Sequence, residues 1–280
     1  MANRRATLGK NPGDVSSMFD EVASRYDLMN DVASLGQVRV WRAAAVAAVA
    51  EASGSAAADR SAGVEVPAGA EVPAATEAPA GSGSFGATEA SAESETRILD
   101  LAAGTATSTV AYKANGATAI ACDFSKGMLA QARKRHPEVC CVAGDAMSLP
   151  FADETFDVVT ISYGLRNFND PTKALREMLR VTKPGGRLVI VEFSTPVWGP
   201  LRRLYRFYLG RVMPAFSGIF SSDESAYDYL GESILAWPDQ NGLARVVQSA
   251  GWRSVTYRNL SAGIVAIHRA TRPAVSAWSR

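Results

Sequence analysis

Between Arg97 and Thr271 short apolar runs alternate with stretches of helical periodicity, and this alternation most narrows what the chain can fold into. The runs are "RILDLA", "ATAIACD", "EVCCVAGD", "FDVVTISYG" and "RLVIVEF". Helices are expected from Ser108, from Lys126 through Arg135 and around residues 172–181, the last followed by the turn "KPGG". Strands that are apolar throughout need cover on both faces, and helical crossovers supply it, so the pattern predicts an α/β fold with a parallel sheet. Two further runs, "SVTYRNL" and "GIVAIHRA", are separated only by Ser261 and Ala262. So short a link joins only antiparallel neighbours. The prediction is a mostly parallel seven-stranded sheet with an antiparallel C-terminal strand and helices on both faces.

A different composition interrupts this pattern upstream. Residues 51–96 are mainly Ala, Gly, Ser, Pro and Glu, with a loose six-residue echo in "EVPAGA EVPAAT EAPAGS". Val64, Val66, Val72 and Phe85 are too few large apolar side chains to offset the entropy of ordering the segment, which predicts a low-complexity disordered insertion. Its eight acids against Arg60 alone carry −7 in a chain of net charge +1, so the remainder carries +8. That surplus suits an acidic partner or an anionic membrane surface, with scattered solvated lysines and arginines as the plain alternative. Residues 1–50 read as a helical lid region. In it "DVSSMFDEVASRYD" spaces Val15, Met18, Phe19, Val22 and Tyr26 as one helical face behind Asp14 as N-cap, and a second helix is expected over residues 38–49. Residues 97–272 form the core and 273–280 a flexible tail.

Cys122, Cys140 and Cys141 show no CxxC spacing and no even-numbered framework, so they are expected to be small core residues in a reducing cytoplasm, with no metal site. The basic N-terminus "MANRRATLGKNPGD" is not followed by an apolar stretch, and no window reaches the ~18 uninterrupted apolar residues of a spanning helix, which predicts a soluble or peripheral protein. No aromatic or recognition-helix motif for nucleic acid is present in the sequence.

In parallel α/β sheets ligands bind beyond the C-terminal ends of the strands. Asp100, Gly104 and Thr105 follow the first strand, Asp123 ends the second, Asp145 and Ala146 follow the third, and Ser162 ends the fourth. Asp123 stands 19 residues after Gly104, the spacing at which an acid takes the hydroxyls of an adenosine ribose. A dinucleotide would need glycines where Ala102, Ala106 and Ser108 stand, to let its pyrophosphate approach. S-adenosylmethionine has no phosphate and carries an ammonium group that Asp100 can attract. The loop therefore suits S-adenosylmethionine better than NAD. Each residue also has a local reading, Asp123 as a helix cap and Asp145 as a turn residue, and only their serial placement at strand ends favours the joint one.

With those residues in place, the chain resembles the class I methyltransferases, with their Rossmann-like fold, and more closely the quinone C-methyltransferases of menaquinone and ubiquinone biosynthesis. The resemblance rests on "MFDEVASRYDLMND", "SLGQVRVWR", "ISYGLRNFND", "RVTKPGGRLVIVEFS", "AWPDQ" and "NLSAGIVAIHRA". Ala103 and Ala106 stand where many relatives have glycine, and Val38 where many have histidine. The resemblance implies that Thr105, Asp123, Asp145, Ala146 and Ser162 contact S-adenosylmethionine, and that the partner substrate is a demethylated isoprenoid hydroquinone, demethylmenaquinol before the ubiquinone precursor. It further implies that Arg166 assists deprotonation.

Carbon methylation requires an electron-rich ring, so a quinol reacts where a quinone does not. Arg166 and Asn167, directly after the fourth strand, are placed to stabilise a phenolate and hold a ring oxygen. The alternative for Arg166 is a structural ion pair, with Asp170 as one candidate. Tyr26 and Asp27 either contact the quinol or only pack and cap. Leu201, Leu204, Tyr205, Tyr208 and Val212 form an apolar face among four arginines, suited either to an anionic bilayer and an isoprenoid tail or to core packing. An O-methyltransferase of small phenols, a dehydrogenase and a non-catalytic S-adenosylmethionine-binding protein remain as competing readings. Oligomeric state is not legible.

Overall fold

The computed structural model describes residues 7–24, 26–34, 36–62, 95–213 and 224–274. Helices α1 (Pro12–Val22), α2 (Tyr26–Ala33) and α3 (Gln37–Ala62) come first. Strands β1 (Arg97–Leu101), β2 (Thr118–Asp123), β3 (Cys140–Ala143), β4 (Phe156–Ser162) and β5 (Thr182–Phe193) follow, with α4 (Thr107–Ala114) after β1, α5 (Lys126–Arg135) after β2 and α6 (Pro171–Val181) after β4. Then come α7 (Gly199–Phe207) running into a π-helical turn (Tyr208–Val212), α8 (Glu224–Leu235), α9 (Gln240–Ser249), β6 (Arg253–Leu260) and β7 (Val265–Thr271).

The strand order is β3-β2-β1-β4-β5-β7-β6. All pairs are parallel except those of β7, which is antiparallel to both β5 and β6. The "KPGG" turn leaves the ladder as a bulge, since the register steps from Phe156↔Thr182 to Val158↔Arg187.

Alternate residues of each central strand feed two separate cores, as the period of two requires. Leu99, Val159, Ile161, Leu188 and Ile190 pack under α6 and α9 with Leu175, Met178, Leu243 and Val247. Ile98, Val158, Val189 and Val191 pack under α3 and α4 with Trp41, Ala45, Val49 and Tyr112. Each fully buried aliphatic side chain contributes about 1.5–3 kcal/mol, so the sheet is held from both faces.

Four expectations need correcting. The N-cap of α1 is Asn11, whose side chain accepts from Gly13 N, while Asp14 lies in the first turn, because Pro12 at the first helical position has no N–H to lose. The predicted face of Val15 to Tyr26 is split between α1 and α2, although Val15, Met18, Phe19, Val22 and Tyr26 still share one cluster with Met128 and Tyr229. The second helix continues past residue 49 to Ala62, because the alanine-rich start of the supposed insertion is strongly helix-forming. Among the cysteines only Cys122 is buried; Cys140 and Cys141 lie on β3 at the sheet edge and are exposed and half-buried. Most of the expected insertion, residues 63–94, lies outside the described residues, as do 214–223 and the end of the expected tail.

Candidate active site

β1 and β4 are neighbours, but the chain leaves them toward opposite halves of the sheet, β1 toward β2 and β3, β4 toward β5. The crevice beyond their C-terminal ends is the switch point at which doubly wound sheets bind ligands. A cleft with about 850 Å³ of empty space opens there, and Gly104, Asp123, Asp145, Ala146, Ser162 and Asn167 are among its walls. Its outer wall is α1 and the start of α2, through Lys10, Pro12, Val15, Phe19 and Tyr26.

The loop after β1 bends through three left-handed residues, Ala102 (φ 51°), Gly104 (φ 57°) and Ala106 (φ 61°). Ala106 thus holds the conformation for which glycine is the usual residue, at a cost alanine bears more easily than bulkier side chains. The turn is pinned by Asp123, whose two carboxylate oxygens accept from Gly104 N at 2.8 Å and Ser125 N at 2.8 Å. The cap of α5 is Ser125, which accepts from Met128 N, and not Asp123. A carboxylate offers about four acceptor positions, so Asp123 keeps capacity for two hydroxyls.

Beside this cleft lies a second, smaller pocket, lined by Asp27, Arg42, Asp100, Thr105, Ser108 and Ser162 among others. Asp100 is buried and accepts from Thr109 Oγ1 at 2.6 Å, and burial pushes its carboxyl up to about 7. Burial, reinforced by the Asp20 charge, likewise raises Asp123. Lys10 is the one basic residue lining the main cleft. A cationic ligand would favour the ionised form of these carboxyls that burial disfavours, whereas a phosphate would disfavour it further, so the floor suits a cation.

Two polar clips hold the N-terminal helices over the cleft. Asp20 accepts from Ser125 Oγ at 2.5 Å and Gly127 N at 2.7 Å, an approach so close that a Cβ on Gly127 would strike Asp20 Cα at 2.9 Å. Asp27 pairs with Arg135 and accepts from Thr105 Oγ1 at 3.1 Å. Asp27 thus lines the pocket beside the loop after β1 and is not among the residues lining the apolar chamber described next.

On the other side of Tyr26 and Tyr163 lies a chamber of about 610 Å³, within the ~300–1,000 Å³ of small-molecule pockets. Trp41, Phe193, Tyr205, Leu209 and Ile234 form much of it. Leu201, Leu204, Tyr205, Tyr208 and Val212 all line it, so the predicted apolar face of α7 roofs a cavity. Leu204 and Phe207 are also 63% and 56% exposed, which puts the mouth of the chamber at α7.

The short 3-10 turn Leu165–Asn167 joins the two compartments, with Arg166 lining the chamber and Asn167 the cleft. Arg166 is buried and ion-paired to Glu192 at 2.9 Å, with its guanidinium 5.1 Å from the centre of the Phe193 ring. Its expected alternative partner, Asp170, instead caps α6 by accepting from Lys173 N. Asn167 accepts from Tyr229 Oη at 3.3 Å. Gly164, just before the turn, has no space for a side chain because a Cβ would overlap that of Ala102.

Two residues of this junction carry no assigned role in the sequence reading. Glu192 was legible in principle as an acid within the apolar run "RLVIVEF". Tyr163 falls within the residues that end the fourth strand, but nothing in the pattern singles it out from Ser162 and Gly164. It lines all three cavities, has φ 57°, and its buried hydroxyl has no hydrogen-bond partner among the described residues. A left-handed backbone at a bulky residue costs about 1–3 kcal/mol and persists only where its surroundings enforce it.

The ubiE/COQ5 methyltransferase family model matches residues 7–68 and 85–272. A demethylmenaquinone methyltransferase of Streptomyces griseus is 49% identical over 268 residues, 96% of this chain and 99% of that protein. One of Renibacterium salmoninarum is 47% identical over 266 residues, 95% of each chain. Among solved structures, a SAM-dependent methyltransferase from Thermotoga maritima superposes with a TM-score of 0.48 at 23% identity, covering 64% of this chain and 83% of that one.

Two outcomes follow from the site's electrostatics. Folded Asp100 keeps its proton to about pH 7, whereas an unfolded aspartate loses it near ~4, so the stability this group contributes falls as pH rises between those values. Asp100→Asn will therefore melt higher than the wild type at pH 8, the gap closing toward pH 5; parallel melting curves against pH would refute the assignment. Arg166→Ala leaves Glu192 buried without its partner and will cost about 3–5 kcal/mol in urea denaturation, most of it recovered when Glu192→Gln is added.

Proposed function

The chain belongs to the ubiE/COQ5 methyltransferase family, and from that premise we propose that it methylates a ring carbon of demethylmenaquinol, using S-adenosylmethionine and yielding menaquinol and S-adenosylhomocysteine. One observation carries the substrate choice: an acid-floored cleft and a mostly apolar chamber meet at Tyr26 and Tyr163, with Arg166 on the chamber side. A tail-less phenol would leave most of that chamber wet.

S-adenosylmethionine supplies an electrophilic methyl group on a cationic sulfur. Asp123 takes the ribose hydroxyls with its remaining lone pairs, and Asp145 and Ala146 border the adenine end. Asp100 and Arg42, on the walls of one pocket, match the ammonium and carboxylate of the amino-acid end. Tyr26 closes the cleft from above, facing Gly104 so closely that a Cβ there would come into van der Waals contact with its ring. Ser162 and Thr105 complete the loop side.

The quinol ring lies at the junction and its tail runs under α7. The reacting carbon becomes nucleophilic as a ring hydroxyl gives up its proton. Arg166, fixed by Glu192, stabilises the resulting oxyanion, and Asn167 holds a ring oxygen. Holding carbon, methyl and sulfur in line is chiefly a positioning task. Labelled S-adenosylmethionine with short-tailed demethylmenaquinone will give methylated product only when a reductant is present. Absence of product with the reduced acceptor and bound S-adenosylmethionine would overturn the assignment and direct the assay to the ubiquinone precursor.

We also propose that the chamber's mouth rests on an anionic bilayer. Trp198, Val197, Leu204 and Phe207 are exposed around it, with Arg202, Arg203, Arg206 and Arg211 exposed on the same segment. Basic residues near such a surface contribute about 1 kcal/mol each. None of the described helices is long and apolar enough to cross a membrane. The protein will float with anionic vesicles at low salt and be released at high salt; failure to float at low salt would rule this contact out.

A further inference from the structure

Tyr163 combines costs that nothing within the described chain offsets. Its backbone is left-handed at φ 57°, immediately after β4. Its N–H is still bonded to Val191 O at 2.8 Å, and its carbonyl accepts from Arg166 Nη1 and, at 3.5 Å, from Asn167 Nδ2. The backbone is thus locked by the same two residues that serve the site. Its ring lies 5.1 Å from Phe193 and 6.4 Å from Trp41, centre to centre, on the chamber side. Phenylalanine would make those ring contacts equally well. The hydroxyl alone is unexplained: it is buried and has no hydrogen-bond partner among the described residues, an arrangement disfavoured unless a ligand completes it.

We infer that the Tyr163 hydroxyl is a hydrogen-bond donor to a ring oxygen of the quinol, positioned to strengthen as negative charge develops on that oxygen. The inference rests on the quinol methyltransferase reading and adds a residue to it. Burial, with the nearby Glu192 charge, raises the phenol far above neutrality, so it remains protonated and donates. Arg166 reaches the same space through its charge, and Tyr163 adds direction, since a phenol presents one proton along one line. Although Tyr163 lines all three cavities, its ring packs against Trp41 and Phe193 of the chamber wall, which favours the quinol over the cofactor as acceptor.

Tyr163→Phe separates these roles. In the purified full chain with reduced short-tailed demethylmenaquinone, the variant is expected to lower kcat on the order of 100-fold, as loss of one transition-state donor does. The quinol KM should move less than about threefold, since an interaction that forms chiefly in the transition state lowers kcat. Calorimetric affinity for S-adenosylmethionine should be unchanged, and the melting temperature no lower than that of the wild type. Unchanged kcat and KM would overturn the inference, as would weakened S-adenosylmethionine binding with normal quinol turnover at saturation. A wild-type enzyme inactive toward every reduced quinol would instead overturn the underlying reading, so the two failures are distinct.

Discussion

Where β1 and β4 lie side by side, their connections depart to opposite halves of the sheet, and the site depends on the crevice this leaves. Helices crossing from β1 and from β4 cannot cover that point, so backbone at the strand ends is exposed to a ligand and not to a packed side chain. The requirement for a parallel sheet with both faces covered generates the scaffold, and the reversal of strand order generates the vacancy. Asp123, Asp145 and Ser162 reach one cleft because they lie at or just beyond the C-terminal ends of β2, β3 and β4, parallel strands within the run β3-β2-β1-β4, although 39 residues separate the first from the last.

The remaining walls come from outside the sheet. α1 and α2 are drawn over the cleft by Asp20 at the start of α5 and by Asp27 at Thr105 and Arg135. α3 supplies Val38 and Trp41 to the chamber, and α7 supplies its roof. Charge divides the two compartments. Carboxylates around the cleft suit a cation, while the chamber is mostly apolar and Arg166, its one charged lining residue among those described, is paired with Glu192. A buried arginine without that carboxylate would be strongly disfavoured, so the position able to stabilise an oxyanion exists only because strand β5 delivers an acid beside it.

Much of this was readable from local pattern. The seven strand positions, the antiparallel last strand and the residues at the strand ends follow from hydrophobic runs and spacing, because strand period and crossover length are local consequences of chain geometry. The reading was poorer where several local solutions compete. Ala-rich residues 51–62 have the composition of a disordered linker and the propensity of a helix, and they extend α3, whose preceding residues pack on the sheet. Asp27 reads from its position beside Tyr26 as either a quinol contact or a packing and capping residue, and its carboxylate pairs with Arg135, 108 residues along the chain. Arg166 was expected to choose between phenolate and Asp170; its partner, Glu192, is 26 residues away on the neighbouring strand.

The amino-acid sequence by itself determined the α/β scaffold, the order of its elements and the set of acids at the strand ends, because these are encoded in periodicity and spacing over a few residues. Only the tertiary structure decided which of those residues meet. The chamber beneath α7, the Arg166–Glu192 pair and the strained Tyr163 at the meeting of three cavities all join segments far apart in the chain. Such contacts are set by how helices pack across a twisted sheet, and local pattern carries no record of that packing.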